Sequence, residues 1–237
     1  MLTSPWGFPE IIQWENYIKA WEKSNFQVLF KNSIYITAAS LIVMILLAAM
    51  VAFAITRYKI KSGKRVLLYM LGGQTISASM IIFPIVILLR KIGLDEGHTG
   101  LILTYIAGGL PFAVFVLQGF FAGIPYELYE AAEIDGASEI QLFTKIAMPL
   151  AKPSLATVLL YQFMWVWNEF VLAFTLISRP EKRTIIVGLY SVVNGTLQTD
   201  YVTAFAGAVI VCVPIILIYL FAQKYLIQGL IAGAVKG

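Results

Sequence analysis

Five long apolar segments dominate this chain and restrict what it can fold into. Each has about the 20 residues that a helix needs to cross the hydrocarbon core of a bilayer. Because no water is present there to bond backbone N–H and C=O groups, each segment must satisfy them internally as a helix. The predicted spans are residues 33–56, 66–89, 101–121, 154–177 and 202–226.

The composition supports an all-α, polytopic membrane protein. Of the 237 residues, 59% are hydrophobic and 13% are charged, against roughly 45–50% and about 25% in soluble domains. The segments are too long for the strands of a transmembrane barrel, which alternate over about 10 residues. We therefore predict an external N-terminal tail over residues 1–32 and a transmembrane domain over residues 33–237, with a cytoplasmic loop at residues 122–153.

A cluster of positive charge indicates how the chain is oriented. The stretch RYKIKSGKR, residues 57–65, carries five cations between the first two predicted spans. Such a cluster could attract nucleic acid or anionic lipid, but in a short loop it first follows the rule that positive loops stay in the cytoplasm. The N-terminus and the loops at 90–100 and 178–201 are then external, and the C-terminus is cytoplasmic. We expect contacts with membrane lipids and none with nucleic acid.

The predicted cytoplasmic loop has the pattern of two short helices joined by a turn. Pro125 suits the start of the first helix, because its fixed φ is helical and its missing N–H would be unpaired there in any case. Gly136 supplies a turn that a side chain would disfavour. Four residues of the first helix fall on one face: Leu128, Ala131, Ala132 and Asp135.

The second helix of the loop begins at a capping signal. Ser138 with Gln141 matches the S-x-x-Q capping box, and we expect Pro149 and Pro153 to end the helix before the next span. Three residues are expected to share its apolar face: Ile140, Phe143 and Ala147. Two interpretations remain open, an amphipathic hairpin packed against the bundle and a docking element for a second protein.

The sequence of this loop from Glu130 to Leu150 is EAAEIDGASEIQLFTKIAMPL. It resembles the EAA loop of permease subunits of ATP-binding-cassette (ABC) importers, in which E-A-A is followed by D-G-A, an aromatic residue and a proline. WVWNEFVLA after the loop and the terminal QGLIAGAVKG look like the carbohydrate branch, similar to maltose-type permeases. Eight residues fit the loop pattern: Glu130, Ala131, Ala132, Asp135, Gly136, Ala137, Phe143 and Pro149.

The resemblance implies a sugar permease subunit of a bacterial-type inner membrane, whose loop couples to ABC ATPase subunits. It also implies a second permease subunit, an extracytoplasmic solute-binding protein and about six spans, of which the first is expected to be absent here. The chain contains no G-x-x-x-x-G-K-[ST] motif, so ATP hydrolysis is expected in a partner. We expect this chain to bind no cofactor or metal and to hold no catalytic residue.

Polar residues within the predicted spans are candidates for a substrate path, because they are costly in lipid. Gln74 lies in the second span among small residues that also suit helix packing. Trp167, Asn168 and Glu169 lie in the fourth span, where an aromatic face and polar groups suit a sugar ring and its hydroxyls. An interfacial aromatic belt with a structural hydrogen bond would have the same sequence pattern.

Other functions fit the sequence less well. A membrane enzyme would need a juxtamembrane cluster of reactive side chains, and the chain has one histidine and scattered acids. An ion-coupled secondary carrier would need paired charges within the spans and inverted repeats. An ABC permease for a non-sugar solute remains an alternative, and the sugar itself cannot be identified from the sequence.

Overall fold

The computed structural model of the protein describes residues 13–23, 25–194 and 201–234, and the regular structure in this part of the chain is helical. Its α-helices are α1 Glu15–Lys23, α2 Phe26–Arg57, α3 Gly63–Gly73, α4 Ala78–Lys91, α5 His98–Phe121, α6 Glu127–Ile134, α7 Glu139–Gln141, α8 Met148–Leu150, α9 Lys152–Asn168, α10 Val171–Leu176, α11 Ile185–Asn194 and α12 Tyr201–Ala234. A π-helix covers Leu142–Ala147 and a 3₁₀ helix covers Pro180–Lys182. The predicted all-α class is confirmed.

Three helices within the described residues are long and apolar enough to cross a membrane, judged by length and composition. They are α2, α5 and the first 20 residues of α12, Tyr201–Leu220. They correspond to the first, third and fifth predicted spans. Helix α2 begins at Phe26, after Asn25 in a left-handed conformation, so it extends into the segment predicted as an external tail.

The second predicted span consists of two helices. Helix α3 ends at Gly73 and α4 begins at Ala78, and a turn separates them. The Oγ of Ser77 accepts a hydrogen bond from the backbone N–H of Ser79 at 3.4 Å and so caps the start of α4. The pair Gly72-Gly73 and the Ser77 cap account for the interruption, because glycine weakens a helix interior and serine favours a cap.

The fourth predicted span is also interrupted. Helix α9 ends at Asn168, Glu169 has an extended backbone with ψ 123°, and α10 begins at Val171. The side chain of Glu169 accepts hydrogen bonds from the first free backbone N–H groups of α10, which stabilises the restart of the helix.

The centre of the bundle is the pairing of α2 with α5, and α9 packs against both and against α12. Small residues permit this close approach. Ala48, Ala49 and Ala52 of α2 are fully buried, and a Cβ added to Gly109 of α5 would lie 2.5 Å from the Cε of Met44. The core therefore depends on small side chains in both central helices.

The end of the bundle at the start of α2 is held by polar contacts to two loops. The Nδ2 of Asn32 donates hydrogen bonds to the carbonyl oxygens of Glu181 at 2.9 Å and Arg183 at 3.1 Å. The Nη2 of Arg179 donates to Oε2 of Glu96 at 2.7 Å. The α4–α5 loop and the segment after α10 therefore meet near the N-terminal end of α2, while the loop that contains α6 and α7 lies at its C-terminal end.

Candidate functional site: the α6–α8 loop and polar groups between the helices

The turn between α6 and α7 has the geometry that the sequence predicts. Gly136 has φ +81°, a conformation that residues with a Cβ rarely adopt. Its N–H donates to the carbonyl of Glu133 at 3.0 Å, and the N–H of Ala137 donates to the carbonyl of Ala132 at 2.9 Å. No atom lies within 4 Å of the place where a Cβ would stand at Gly136. Backbone conformation, and not space, is therefore what requires glycine here.

The predicted capping box at the start of α7 is confirmed. The Oε1 of Gln141 accepts a hydrogen bond from the N–H of Ser138 at 2.8 Å, and the Oγ of Ser138 accepts one from the N–H of Gln141 at 3.4 Å. The two side chains satisfy each other's backbone donors, as the S-x-x-Q pattern indicates.

The helix after α7 differs from the sequence prediction in which residues share a face. Ile140 is 75% exposed, whereas Ala147 is fully buried, so the two do not share a face. The prediction was wrong because residues Leu142–Ala147 form a π-helix, whose wider turns shift every later side chain around the axis. The predicted end of this helix is confirmed within one residue, because α8 ends at Leu150, directly after Pro149, and Pro153 lies in the first turn of α9.

Phe53, near the C-terminal end of α2, joins the loop to the helical bundle. Its side chain is only 7% exposed, and its ring centroid lies 6.0 Å from that of Tyr129 in α6 and 5.3 Å from that of Phe143 in the π-helix. The ring of Phe121 at the end of α5 lies edge-on to it at 6.1 Å. Phe143, one of the eight pattern residues, thus anchors the loop inward.

Arg57, the last residue of α2, was not predicted as a functional residue. Its side chain is 6% exposed and donates to the hydroxyl of Tyr126 at 2.5 Å and to the carboxylate of Glu133. A second carboxylate, Glu139, lies 3.5 Å away. In the sequence, this arginine is one of the five cations of the basic loop. The one signal that distinguishes it from the other four is its position directly after an apolar span.

Tyr129 lies beside this polar cluster, and the face of its ring is 5.5 Å from the Arg57 guanidinium. Burial raises the pKa of the Tyr129 phenol, while the positive charge of Arg57 acts in the opposite direction and more weakly. The phenol is therefore neutral at physiological pH, and it offers the arginine an aromatic face.

The outward face of the loop carries most of the eight pattern residues. Glu130, Ala131, Asp135, Gly136 and Pro149 are exposed, whereas Ala132, Ala137 and Phe143 are partly buried against the bundle. Two large apolar side chains stand beside the acids on either side of the turn: Ile134 is 86% exposed and Ile140 is 75% exposed. Among the described residues, no group of three or more His, Cys, Asp or Glu could hold a metal ion.

The residues predicted for a substrate path do not form one cluster. Gln74 is exposed in the turn between α3 and α4, and its Nε2 donates to the carbonyl of Gly108 in α5 at 2.8 Å. The ring of Trp165 lies against the same glycine, with its Cη2 3.1 Å from the position of an added Cβ. Gln74 and Trp165 therefore both contact Gly108, from different sides of its backbone atoms.

Trp167 is buried in a different part of the bundle. Its ring lies between those of Phe30, at 6.1 Å, and Phe163, at 5.4 Å. Asn168, the last residue of α9, is exposed, and its Nδ2 donates to the carbonyl of Met164 one turn earlier at 2.8 Å. These two neighbours in sequence thus face the core and the exterior of the chain, respectively.

The carboxyl group of Glu169 accepts three hydrogen bonds from the residues that the structure describes. Oε2 accepts from the hydroxyl of Tyr105 in α5 at 2.8 Å and from the N–H of Ala173 at 3.0 Å, and Oε1 accepts from the N–H of Leu172 at 2.9 Å. Glu169 therefore links the interruption between α9 and α10 to the central helix α5.

The long apolar helices, with polar contacts between them, define a helical integral membrane protein. A family model described as "Binding-protein-dependent transport system inner membrane component" matches residues 44–232, which is most of the chain. The chain belongs to this family.

Curated relatives resemble the chain over most of its length. The diacetylchitobiose uptake system permease protein NgcG of Streptomyces coelicolor is 35% identical over 238 residues, which cover 100% of this chain and 77% of that protein. The galactooligosaccharides transport system permease protein GanQ of Bacillus subtilis is 34% identical over 208 residues, which cover 88% of this chain and 74% of that protein.

A solved structure has the same fold. It is the crystal structure of a bacterial ABC transporter involved in the import of the acidic polysaccharide alginate, and one of its chains matches with a TM-score of 0.80 at 25% identity. The match covers 92% of this chain and 81% of the other.

Proposed function

We propose that this chain is the transmembrane permease subunit of an ATP-driven ABC importer that takes up a sugar. The observation that carries this proposal is the α6–α8 loop, which presents an exposed face of acids and isoleucines while Phe53 and Arg57 hold its inner face against the bundle. Family membership makes the chain a transport component of the inner membrane. The names of the relatives, which refer to diacetylchitobiose and galactooligosaccharides, favour a sugar over another solute.

The proposed topology has five spans. Helices α3 and α4 together form the second span, and α9 and α10 form the fourth, because each pair has the length of a membrane crossing with an interruption inside it. The α6–α8 loop and the C-terminus are cytoplasmic, and the N-terminal end of α2 is external. The basic loop of residues 57–65 supports this orientation, because Arg57 lies at the same end of the bundle as the α6–α8 loop.

In the proposed complex, the outward face of the α6–α8 loop contacts an ABC ATPase. Ile134 and Ile140 supply apolar surface that can be buried in a cleft, and the nearby acids supply partners for basic groups. ATP is hydrolysed in that partner, and this chain binds no cofactor. A second permease subunit completes the path across the membrane. An external solute-binding protein delivers the sugar, and the description of the family as binding-protein-dependent supports this partner.

The proposed substrate path includes Gln74, Trp167, Asn168 and Glu169, and the structure adds Trp165 as a candidate. Support is strongest around Gly108, which both Gln74 and Trp165 contact, because an amide and an aromatic face are a combination that suits a sugar. An ion-coupled carrier is not favoured, since the family is binding-protein-dependent and the carboxyl group of Glu169 is bonded to Tyr105 and to backbone N–H groups.

A mild-detergent pull-down from native membranes, followed by mass spectrometry, tests this function. The tagged wild-type chain should retain an ABC ATPase, a second permease subunit and a solute-binding protein. Ile134→Asp should lose the ATPase, because a charge would enter the apolar centre of the dock. The matched control is Ile92→Asp, which alters an isoleucine that is 55% exposed at the other end of the bundle.

The outcomes separate the two classes of transporter. Recovery of the wild-type chain without an ATPase, from membranes where it is abundant and folded, would reject the importer and favour an independent carrier. If Ile134→Asp and Ile92→Asp both retain the ATPase at the wild-type level, the docking face is elsewhere. The retained binding protein can then be screened against oligosaccharides to identify the sugar.

A further inference from the structure

The Arg57 side chain contacts carboxylates on both sides of the turn in the α6–α8 loop, one in α6 and one in α7. We propose that Arg57 is a positioning residue that fastens this loop to the end of α2, so that displacement of the loop by the ATPase moves α2 as a rod. The inference rests on the proposed function and extends it, because it identifies which span receives the movement and which side chain transmits it.

The contacts of Arg57 cross the turn of the loop. Glu133 lies near the end of α6, Glu139 begins α7, and Gly136 lies between them. The arginine thus holds the two helices at a fixed spacing. The hydroxyl of Tyr126, directly before α6, accepts a third contact at 2.5 Å. One guanidinium therefore contacts the beginning and the end of α6 and the start of α7.

The chemistry at this position favours arginine over lysine. The planar guanidinium carries several donors in a fixed arrangement, so one head group can reach three acceptors at once. Its side chain is 6% exposed, while Glu133 and Glu139 are 40% and 45% exposed. Removing the arginine would therefore leave two carboxylates facing each other beside apolar residues, which is a large local change.

Helix α2 is suited to carry movement over a long distance. It is a continuous helix of 32 residues with no proline, and Phe53, one turn before Arg57, adds an apolar contact to the same loop. Asn32, near its other end, holds the segment after α10 through two carbonyl groups. At a rise of 1.5 Å per residue, Asn32 and Arg57 are about 38 Å apart along the axis. A rigid element thus joins the loop to the opposite end of the bundle.

The test measures movement of α2 in the native complex purified with its retained partners. Spin labels are attached at Lys31→Cys, on the external end of α2, and at Lys91→Cys, at the end of α4, in a Cys212→Ser background. The distance between the labels is measured without nucleotide and after trapping with ATP and vanadate. In the labelled complex that keeps Arg57, the distance between the two labels should change on trapping. In the labelled complex with Arg57→Gln, this change should be lost, while the amount of bound ATPase stays the same.

Two further variants separate positioning from a general effect of charge. Lys61→Gln removes a cation from an exposed position of the same basic loop and should keep the full shift. Arg57→Lys, which keeps the charge without the planar fork, should restore only part of it. A full shift in Arg57→Gln, with normal ATPase content, would overturn the inference and leave the proposed function intact.

The remaining outcomes also decide the question. If Arg57→Gln is depleted from the membrane, the double variant Glu133→Ala/Glu139→Ala replaces it, since that variant keeps the arginine and removes both carboxylate acceptors. A full shift in the double variant would overturn the inference, because the arginine would no longer be bonded to a carboxylate on either side of the turn. A complex with wild-type residues at positions 57, 133 and 139 whose label distance does not respond to ATP and vanadate would show that α2 is not the moving element. Absence of an ATPase from that complex would overturn both proposals.

Discussion

Single residues at the turn of the loop follow rules that operate within a few positions of the chain. Gly136 and Ser138 were predicted correctly because a left-handed turn needs glycine and a helix start needs an oxygen acceptor, whatever surrounds them. Arg57 and the bond between Tyr105 and Glu169 were not predicted, because their partners lie 69 or more and 64 residues away in the sequence. Local rules contain no information about such distances.

Gly136→Val should weaken both the fold and retention of the ATPase. A β-branched residue at φ +81° is strained, and the cost is about 1–3 kcal/mol. The control is Gly93→Val, because Gly93 has φ +72°, equal open space and a position at the other end of the bundle. Thermal unfolding in detergent should show a similar fall in Tm for the two variants. Only Gly136→Val should release the ATPase in a pull-down. Equal retention in the two variants would contradict a coupling role for this turn.

Tyr105→Phe should destabilise the interruption between α9 and α10. It removes the hydroxyl that donates to Oε2 of Glu169 at 2.8 Å, so that this oxygen keeps its bond from the N–H of Ala173 and loses its link to α5. The expected cost is about 1–3 kcal/mol, measured as a fall in Tm in detergent. Tyr161→Phe, which alters an exposed tyrosine stacked on Phe112, should leave Tm unchanged. Identical Tm values for the two variants would show that this hydrogen bond contributes nothing to stability.

At the scale of whole elements, long apolar segments predicted helices well, but not their interruptions. The second and fourth predicted spans each break into two helices, at Gly72-Gly73 to Ser77 and at Glu169. Hydropathy averages over many residues and does not detect these breaks. The π-helix of Leu142–Ala147 was also not predicted. Leu142 and Ala147 are both buried against the bundle, and such tertiary packing leaves no pattern within the segment itself.

The attachment of the loop as an element depends on Phe53. Phe53→Ala removes the ring that contacts Tyr129 and Phe143, at an expected cost of about 3–5 kcal/mol if the space is not refilled. Limited proteolysis in detergent should then cut within residues 122–150 at lower protease concentrations than in the wild type. Phe115→Ala, which alters a half-exposed ring on α5, should not change the cleavage. Unchanged cleavage in Phe53→Ala would mean that the loop is secured without the ring of Phe53.

At the scale of the whole molecule, the loops are sorted to the two ends of α2. Loop contacts at Asn32 gather at one end and those at Arg57 at the other. The alternation of spans and the positive charges predict the same grouping. Contacts show which loops lie together, and the charge distribution supplies the proposed assignment of each end to a side of the membrane.

Cysteine labelling tests this orientation. The chain has one cysteine, so Cys212→Ser provides a background without thiols. A membrane-impermeant maleimide should label Glu181→Cys in intact cells, because this exposed position is in the proposed external segment. Lys61→Cys, exposed at the opposite end, should be labelled only after the membrane is permeabilised. The reverse pattern would invert the topology and place the α6–α8 loop outside.

The sequence alone determined the helical class, the existence of the loop, its glycine turn and its capping box, because hydrophobic length and backbone preferences act locally. Only the tertiary structure decided which faces of the loop are buried, where the second and fourth segments break and which side chains join distant helices. Arg57 illustrates the reason. Its charge is visible in the sequence, but its burial beside Glu133 and Glu139 exists only once α2 and the loop have packed together.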